Sequence, residues 1–142
     1  MTENSRFTAD EWRTLQFAPF WIFSALVGSY RDFDPLEYEA FTRSVEQASS
    51  TPGWLAHEVI MSVMRERDWL AEAYQTDSRT IALGLCSVAT VLSRLPQDEA
   101  DMFRGMLISG VGVNMARARG RFGRVMSEDD EKTLELIEQF LA

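Results

Sequence analysis

The stretch YRDFDPLE, residues 30 to 37, places Asp32, Asp34 and Glu37 within six positions. Carboxylates gathered on a turn are what a hard divalent cation such as Ca²⁺ or Mg²⁺ requires, because such ions take several oxygen ligands at once. The same residues have a second use. Asp34 stands where an N-cap accepts backbone amides, Pro35 fits the first helical position, where its missing donor costs nothing, and Glu37 falls at the third. Capping engages two of the three acids without any ligand. The spacing also lacks the later ligands of an EF-hand loop.

A second cluster has the opposite sign. Residues 117 to 124, RARGRFGR, hold Arg117, Arg119, Arg121 and Arg124 and no acid. Guanidinium forks match phosphate and carboxylate oxygens bidentately, which makes this segment a candidate for an anionic ligand or an acidic partner. The competing reading is charge compensation at the C-terminal end of a helix and beside neighbouring acids. His57 is the single histidine. With no second imidazole or thiolate nearby it reads as a structural residue. The chain contains no glycine-rich phosphate loop, no Ser-His-Asp arrangement and no paired Glu-x-x-His motif. No catalytic or cofactor-binding residue is therefore assigned, and a non-catalytic role is expected.

The elements that must position these residues are all helical by periodicity, since apolar residues recur at three and four and nowhere alternate strictly. Six helices are predicted, over about 8–30, 35–49, 53–75, 77–94, 96–119 and 128–141, in one all-α domain spanning 1–142 with residues 1–7 loose. Thr8 and Glu11 form a capping box for the first. Pro19 predicts a kink or break near Phe17, because proline lacks an amide hydrogen and clashes with the carbonyl four residues back. Beyond it Phe20, Trp21, Ile22 and Phe23 cover every side of the helix. A helix apolar all round is central to a core or lies in an oligomer interface. Phe20, Trp21 and Phe23 are taken as the interface of a self-associating chain. Trp54 and Trp69 are placed on the inward stripe of the third helix and Phe140 on that of the last, which Ser127 caps; the fourth carries Ile81, Leu83, Leu85, Val88, Val91 and Leu92. Three glycines, Gly105, Gly110 and Gly112, weaken the fifth helix and predict close approach to neighbours.

Bulk properties bound the function. A chain of 142 residues can bury roughly two thirds of its unfolded surface as one domain. Its 46% hydrophobic and 25% charged composition is that of a globular protein. The net charge of −8 argues against a nucleic-acid backbone as partner. The longest apolar run, FAPFWIFSALVG, is too short to span a bilayer, which takes ~20 residues. The N-terminus shows no leader pattern, so a cytoplasmic location is expected. Cys86, in LGLCSVATVL, reads as a small buried hydrophobe.

The first two and last two helices repeat one plan: an apolar helix with small residues, a short loop holding an aromatic, then an acidic helix start. Two such units can cover one another's apolar faces. If they pack as mirror halves, Arg119 or Arg121 falls opposite Asp32 and Asp34 and replaces a cation by a salt bridge. FAPFWIFSALVGSYRDFDPLEYEAF (17–41) and VNMARARGRFGRVMSEDDEKTLELIEQFL (113–141) resemble the two halves of the tellurite-resistance TerB-like family, with the likeness running over 15–48 and 103–142. That resemblance implies an all-helical fold with its two loops close together, a stress-related binding role, and in some relatives a divalent cation on acidic loop residues. Asp34 and Glu37 stand at the matching acidic positions, but Tyr30 and Arg31 stand where the family pattern has Asp and Gly. A cation bound on Asp32, Asp34 and Glu37 must stabilise the native state. Capping alone leaves the melting temperature unchanged at millimolar Ca²⁺ or Mn²⁺, which is the outcome expected from a thermal titration; a rise would establish the metal site.

Overall fold

The computed structural model describes residues 6–27, 35–119 and 127–142, with the side chains of residues 118 and 119 left aside. The described residues are all-helical: α1 (Ala9–Val27), α2 (Pro35–Ala48), α3 (Trp54–Thr76), α4 (Ile81–Leu92), α5 (Gln97–Gly105), a π-helical segment (Met106–Val113), α6 (Asn114–Arg119) and α7 (Glu128–Leu141). The segments from Gln97 to Arg119 follow one another without a gap, so they form one rod, and the described residues make six rods, as predicted.

The first helix opens as its sequence requires. The Thr8 amide donates to Glu11 Oε1 at 2.9 Å, and the Glu11 amide donates to Thr8 Oγ1 at 3.1 Å. The Thr8 amide, helped by Arg94, holds the Glu11 carboxyl below the usual carboxylate range. Pro19, however, neither breaks the helix nor ends it. The expected cost of an interior proline is about 3 kcal/mol. Every residue from Thr14 to Ser24 is buried, and burying a large apolar side chain contributes about 1.5–3 kcal/mol each, so packing outweighs the lost hydrogen bond.

Around α1 lie α2, α3, α4, the π-helical segment and α7. Its aromatic face meets α2 and α3 in a cluster. The ring centroids of Phe23 and Phe41 are 4.8 Å apart, those of Phe20 and Phe41 5.0 Å, and those of Phe17 and Tyr74 5.6 Å. The buried Tyr74 hydroxyl pairs with Ser24 Oγ at 2.7 Å, satisfying two polar groups that would be costly alone. Phe20, Trp21 and Phe23 are fully buried in this core. They do not form the oligomer surface expected of them, because the chain supplies its own cover on every side of α1.

Each half of the sequence repeat is covered by the other. The second helix of the first unit, α2, packs on the π-helical segment and α6; the second helix of the last unit, α7, packs on α1. Glycines permit two of these approaches. A Cβ at Gly110 would lie 2.9 Å from Ala48 Cβ on α2, and one at Gly112 would lie 2.6 Å from a Leu134 methyl on α7. The tightest approach belongs to Gly84 on α4, where a Cβ would run into the Trp21 indole. No part of the sequence reading singled out Gly84.

Other departures follow from helix phase and caps. Asp77 does not start α4; it ends α3 and grips Arg79, whose Nη2 lies 3.0 Å from Asp77 Oδ2. Thr80 caps α4 instead, accepting from the Leu83 amide at 3.2 Å. The buried face of α4 runs through Gly84, Leu85, Val88 and Leu92, which turns Leu83 and Cys86 outward. Phe140 likewise faces solvent, beside the buried Ile137 and Leu141. On α3, Trp54 and Trp69 are 42% and 50% exposed. The stripe through Leu55, Val59, Val63, Leu70 and Tyr74 leaves both indoles off the buried side. Arginines cover them instead: Arg6 lies 4.5 Å from the Trp54 ring centroid and Arg13 4.3 Å from that of Trp69.

Gly84→Ala tests the α1–α4 approach. Alanine is the better helix former, yet its methyl must displace a fully buried indole, so the variant is expected to lose about 1–3 kcal/mol in urea unfolding. An unchanged or raised stability would show that the approach is not tight.

Candidate functional site

The sequence-predicted acids and arginines divide between described and undescribed positions. Asp32, Asp34, Arg121 and Arg124, and the side chain of Arg119, lie outside the described residues. Glu37 sits half-buried in the first turn of α2, and Arg117 is exposed on α6. The ends of the helices that flank the two loops can still be placed. Ala48, at the end of α2, meets Gly110, and the next element, α6, continues along α2. The rod leading to the second loop therefore runs toward the start of α2, where the first loop ends. His57 is exposed, its Nδ1 3.4 Å from the Ser49 carbonyl oxygen. Among the described residues no group of three or more His, Cys, Asp or Glu could hold a metal ion.

The structure brings together a set of residues that spacing had not linked. Between α5, the π-helical segment and α7 lies a groove of about 580 Å³. Gln97, Asp101 and Arg104 form one wall, the half-buried Ile108 supplies apolar surface, and Glu138 stands on the α7 side. Ile108 and Glu138 also border a further space of about 200 Å³ edged by Glu131, Leu134 and Glu135. The two spaces thus adjoin across Ile108 and Glu138, and together they are called the trough below. Glu131, Glu135 and Glu138, spaced by four and three, occupy one face of α7 and are exposed.

Hydrogen bonds hold the wall in place. Arg104 Nε donates to the Leu141 carbonyl oxygen at 2.7 Å, tying the end of α7 to α5. Arg104 Nη1 donates to Asp101 Oδ1 at 3.1 Å, and Gln97 Nε2 donates to the same oxygen at 2.8 Å. The guanidinium at the trough is therefore committed to the protein's own acceptors, while the glutamates of α7 face solvent. The electrostatic character of the trough is that of an acidic bank over an apolar floor.

Within their own helices these acids have local uses: Asp98 and Glu99 complement the dipole of α5, and α7 opens on an acidic first turn. Their convergence depends on α7 folding back against α5 from more than twenty residues away, and no local signal encodes that. The one available hint was Gly105. A Cβ there would meet nothing within 4 Å, so unlike Gly110 and Gly112 it admits no neighbouring helix. It lines the trough.

No family model, curated protein or solved structure matches this chain. The class that the fold and the trough define is an all-helical bundle with an acidic, apolar-floored groove on one side. Among the described residues, no helix is long and apolar enough to cross a membrane.

Gly105→Ala is expected to raise stability by about 0.5–1 kcal/mol, because the helix gains an alanine and the methyl points into open space. Loss of stability on denaturant unfolding would mean that the trough is closed at Gly105.

Proposed function

We propose that this chain is a non-catalytic binding protein of TerB-like organisation, which takes a basic amphipathic segment of a partner protein into the trough between α5, the π-helical segment and α7. The observation that carries the reading is the pairing of an apolar floor, formed by the half-buried Ile108 and Val113, with the row Glu131, Glu135 and Glu138. Like charges at such spacing repel and cost the free helix a few tenths of a kcal/mol per pair. Lysine or arginine side chains laid alongside would turn that repulsion into attraction, while apolar residues on the same segment reach the floor.

The TerB-like part of the reading is supported by the reciprocal cover of the two helix-loop-helix units and by the flanking helices that converge toward the two loops. A stress-related setting comes with that family resemblance. Self-association is not part of the reading, because its motive was the apolar surface of α1, and that surface is core.

The test is titration of the full chain with a Lys/Leu amphipathic helical peptide, followed by calorimetry at low and at physiological salt. Saturable binding is expected, weakened by salt as exposed charge pairs are screened. The double variant Glu135→Lys, Glu138→Lys should bind at least about tenfold more weakly, since charge reversal replaces attraction by repulsion. Equal affinity in the variant, or no binding by the native chain, would overturn the reading.

A further inference from the structure

The opposite side of α5 carries a second groove, of about 460 Å³, lined by Trp54, Pro96, Asp98, Glu99 and Met102. It is built by a close approach. Gly53, with φ 111°, precedes α3 and comes so near α5 that a Cβ would lie 2.8 Å from that of Met102. Only glycine adopts that backbone readily, and only glycine leaves room for Met102. The result sets an indole against two adjacent carboxylates.

The chain itself displays what such a groove accepts. Arg6 places its guanidinium 4.5 Å from the Trp54 ring centroid, and its Nη2 donates to Glu99 Oε1 at 2.6 Å. A π face and a carboxylate are the two partners that a planar guanidinium engages simultaneously, and a compact ammonium matches them less well. Arg6 and Phe7, grouped by the sequence with a loose end, are held here. Phe7 packs against the core with its ring centroid 6.1 Å from that of Trp12, and Thr8 is fixed by the capping box. Arg6 is thus delivered to the groove by an anchored neighbour, yet its own side chain remains 40% exposed. Arg6 precedes α1 and takes no part in its capping box. Trp54 and Glu99, the two residues that hold Arg6, also line the open space of the groove.

We propose that the Trp54–Glu99 groove is a receptor site for an arginine side chain of a partner protein, and that Arg6 is its intramolecular occupant. The tethered guanidinium acts as a competitor at high effective concentration, so a partner must displace it to bind. The proposal stands apart from the trough on the far side of α5, and Glu135→Lys with Glu138→Lys should leave it untouched.

The probe is the blocked tripeptide acetyl-Gly-Arg-Gly-amide, with its citrulline counterpart as the neutral isostere, and the readout is the Trp54 indole N–H resonance in the full-length chain. In Arg6→Ala the resonance should move saturably with the arginine peptide, at an affinity about tenfold tighter than in the native chain, where Arg6 competes. The citrulline peptide should produce no movement. Adding Glu99→Gln to Arg6→Ala should abolish saturation. The same shift at higher peptide concentration in the native chain supplies the measurement should Arg6→Ala prove unstable. If Arg6 is only a staple, its removal lowers the melting temperature and yields no saturable response. That result, or equal response to citrulline, would overturn the proposal.

Discussion

The complete burial of α1 governs the arrangement of everything else. A helix whose residues from Thr14 to Ser24 are all withdrawn from solvent must be surrounded, and no single partner helix can do that. Five elements do so here: α2 and α3 against the aromatic side, α4 against Trp21, and the π-helical segment with α7 on the remaining face. The polar residues of α1 fit the same scheme. Gln16 is buried, and its amide donates to Ser62 Oγ and Glu66 Oε2, both at 3.2 Å, while its carbonyl oxygen accepts from Arg13 Nε at 3.3 Å. Glu66 is also where α3 departs from helical geometry, with φ −113° and ψ 19°. The long third helix therefore bends at the point where it is tied to α1.

Surrounding one helix with five others forces close approaches, and small residues settle where these fall. Gly84 admits Trp21, Gly110 admits Ala48 and Gly112 admits Leu134. Two of the three lie in the π-helical segment, where the wider winding shifts the side chains that follow relative to an α-helix. That rod consequently serves four neighbours along its length: α3 beside α5, α1 and α7 beside the π-helical segment, and α2 along the π-helical segment and α6. Gly105 is the exception that marks the trough, since it borders space and no helix. Both grooves lie along α5, on opposite sides of it. Gln97, Asp101 and Arg104 turn to the trough, whereas Asp98, Glu99 and Met102 turn to the groove beside Trp54.

Much of the fold was legible because its signals are local. The capping box at Thr8, the cap at Ser127 and the three- and four-residue apolar rhythm each involve residues within one helical turn, and the corresponding helices start where those signals put them. The errors were errors of phase and partner. Trp54, Trp69 and Phe140 are expected inward because they are apolar, although each lies off the stripe its helix buries. For the two tryptophans the compensation comes from Arg6 and Arg13, which are far away in sequence and leave no trace in the helical pattern of α3. Cys86 was read as buried from apolar neighbours, but on a helix the adjacent residue points about 100° away and can face water.

The all-helical character of the chain, the starts of most of its helices and a first helix too apolar to stand in solvent are written in the order of the residues. Those properties follow from hydrogen bonds and side-chain contacts within a turn or two of backbone. Only the tertiary structure decided whether that first helix would be covered by its own chain or by another. It also decided which acids would converge on α5, and which glycines admit a neighbour and which border open space. Each depends on surfaces brought together from distant parts of the chain, where close packing accepts a glycine in one place and refuses a methyl group in another.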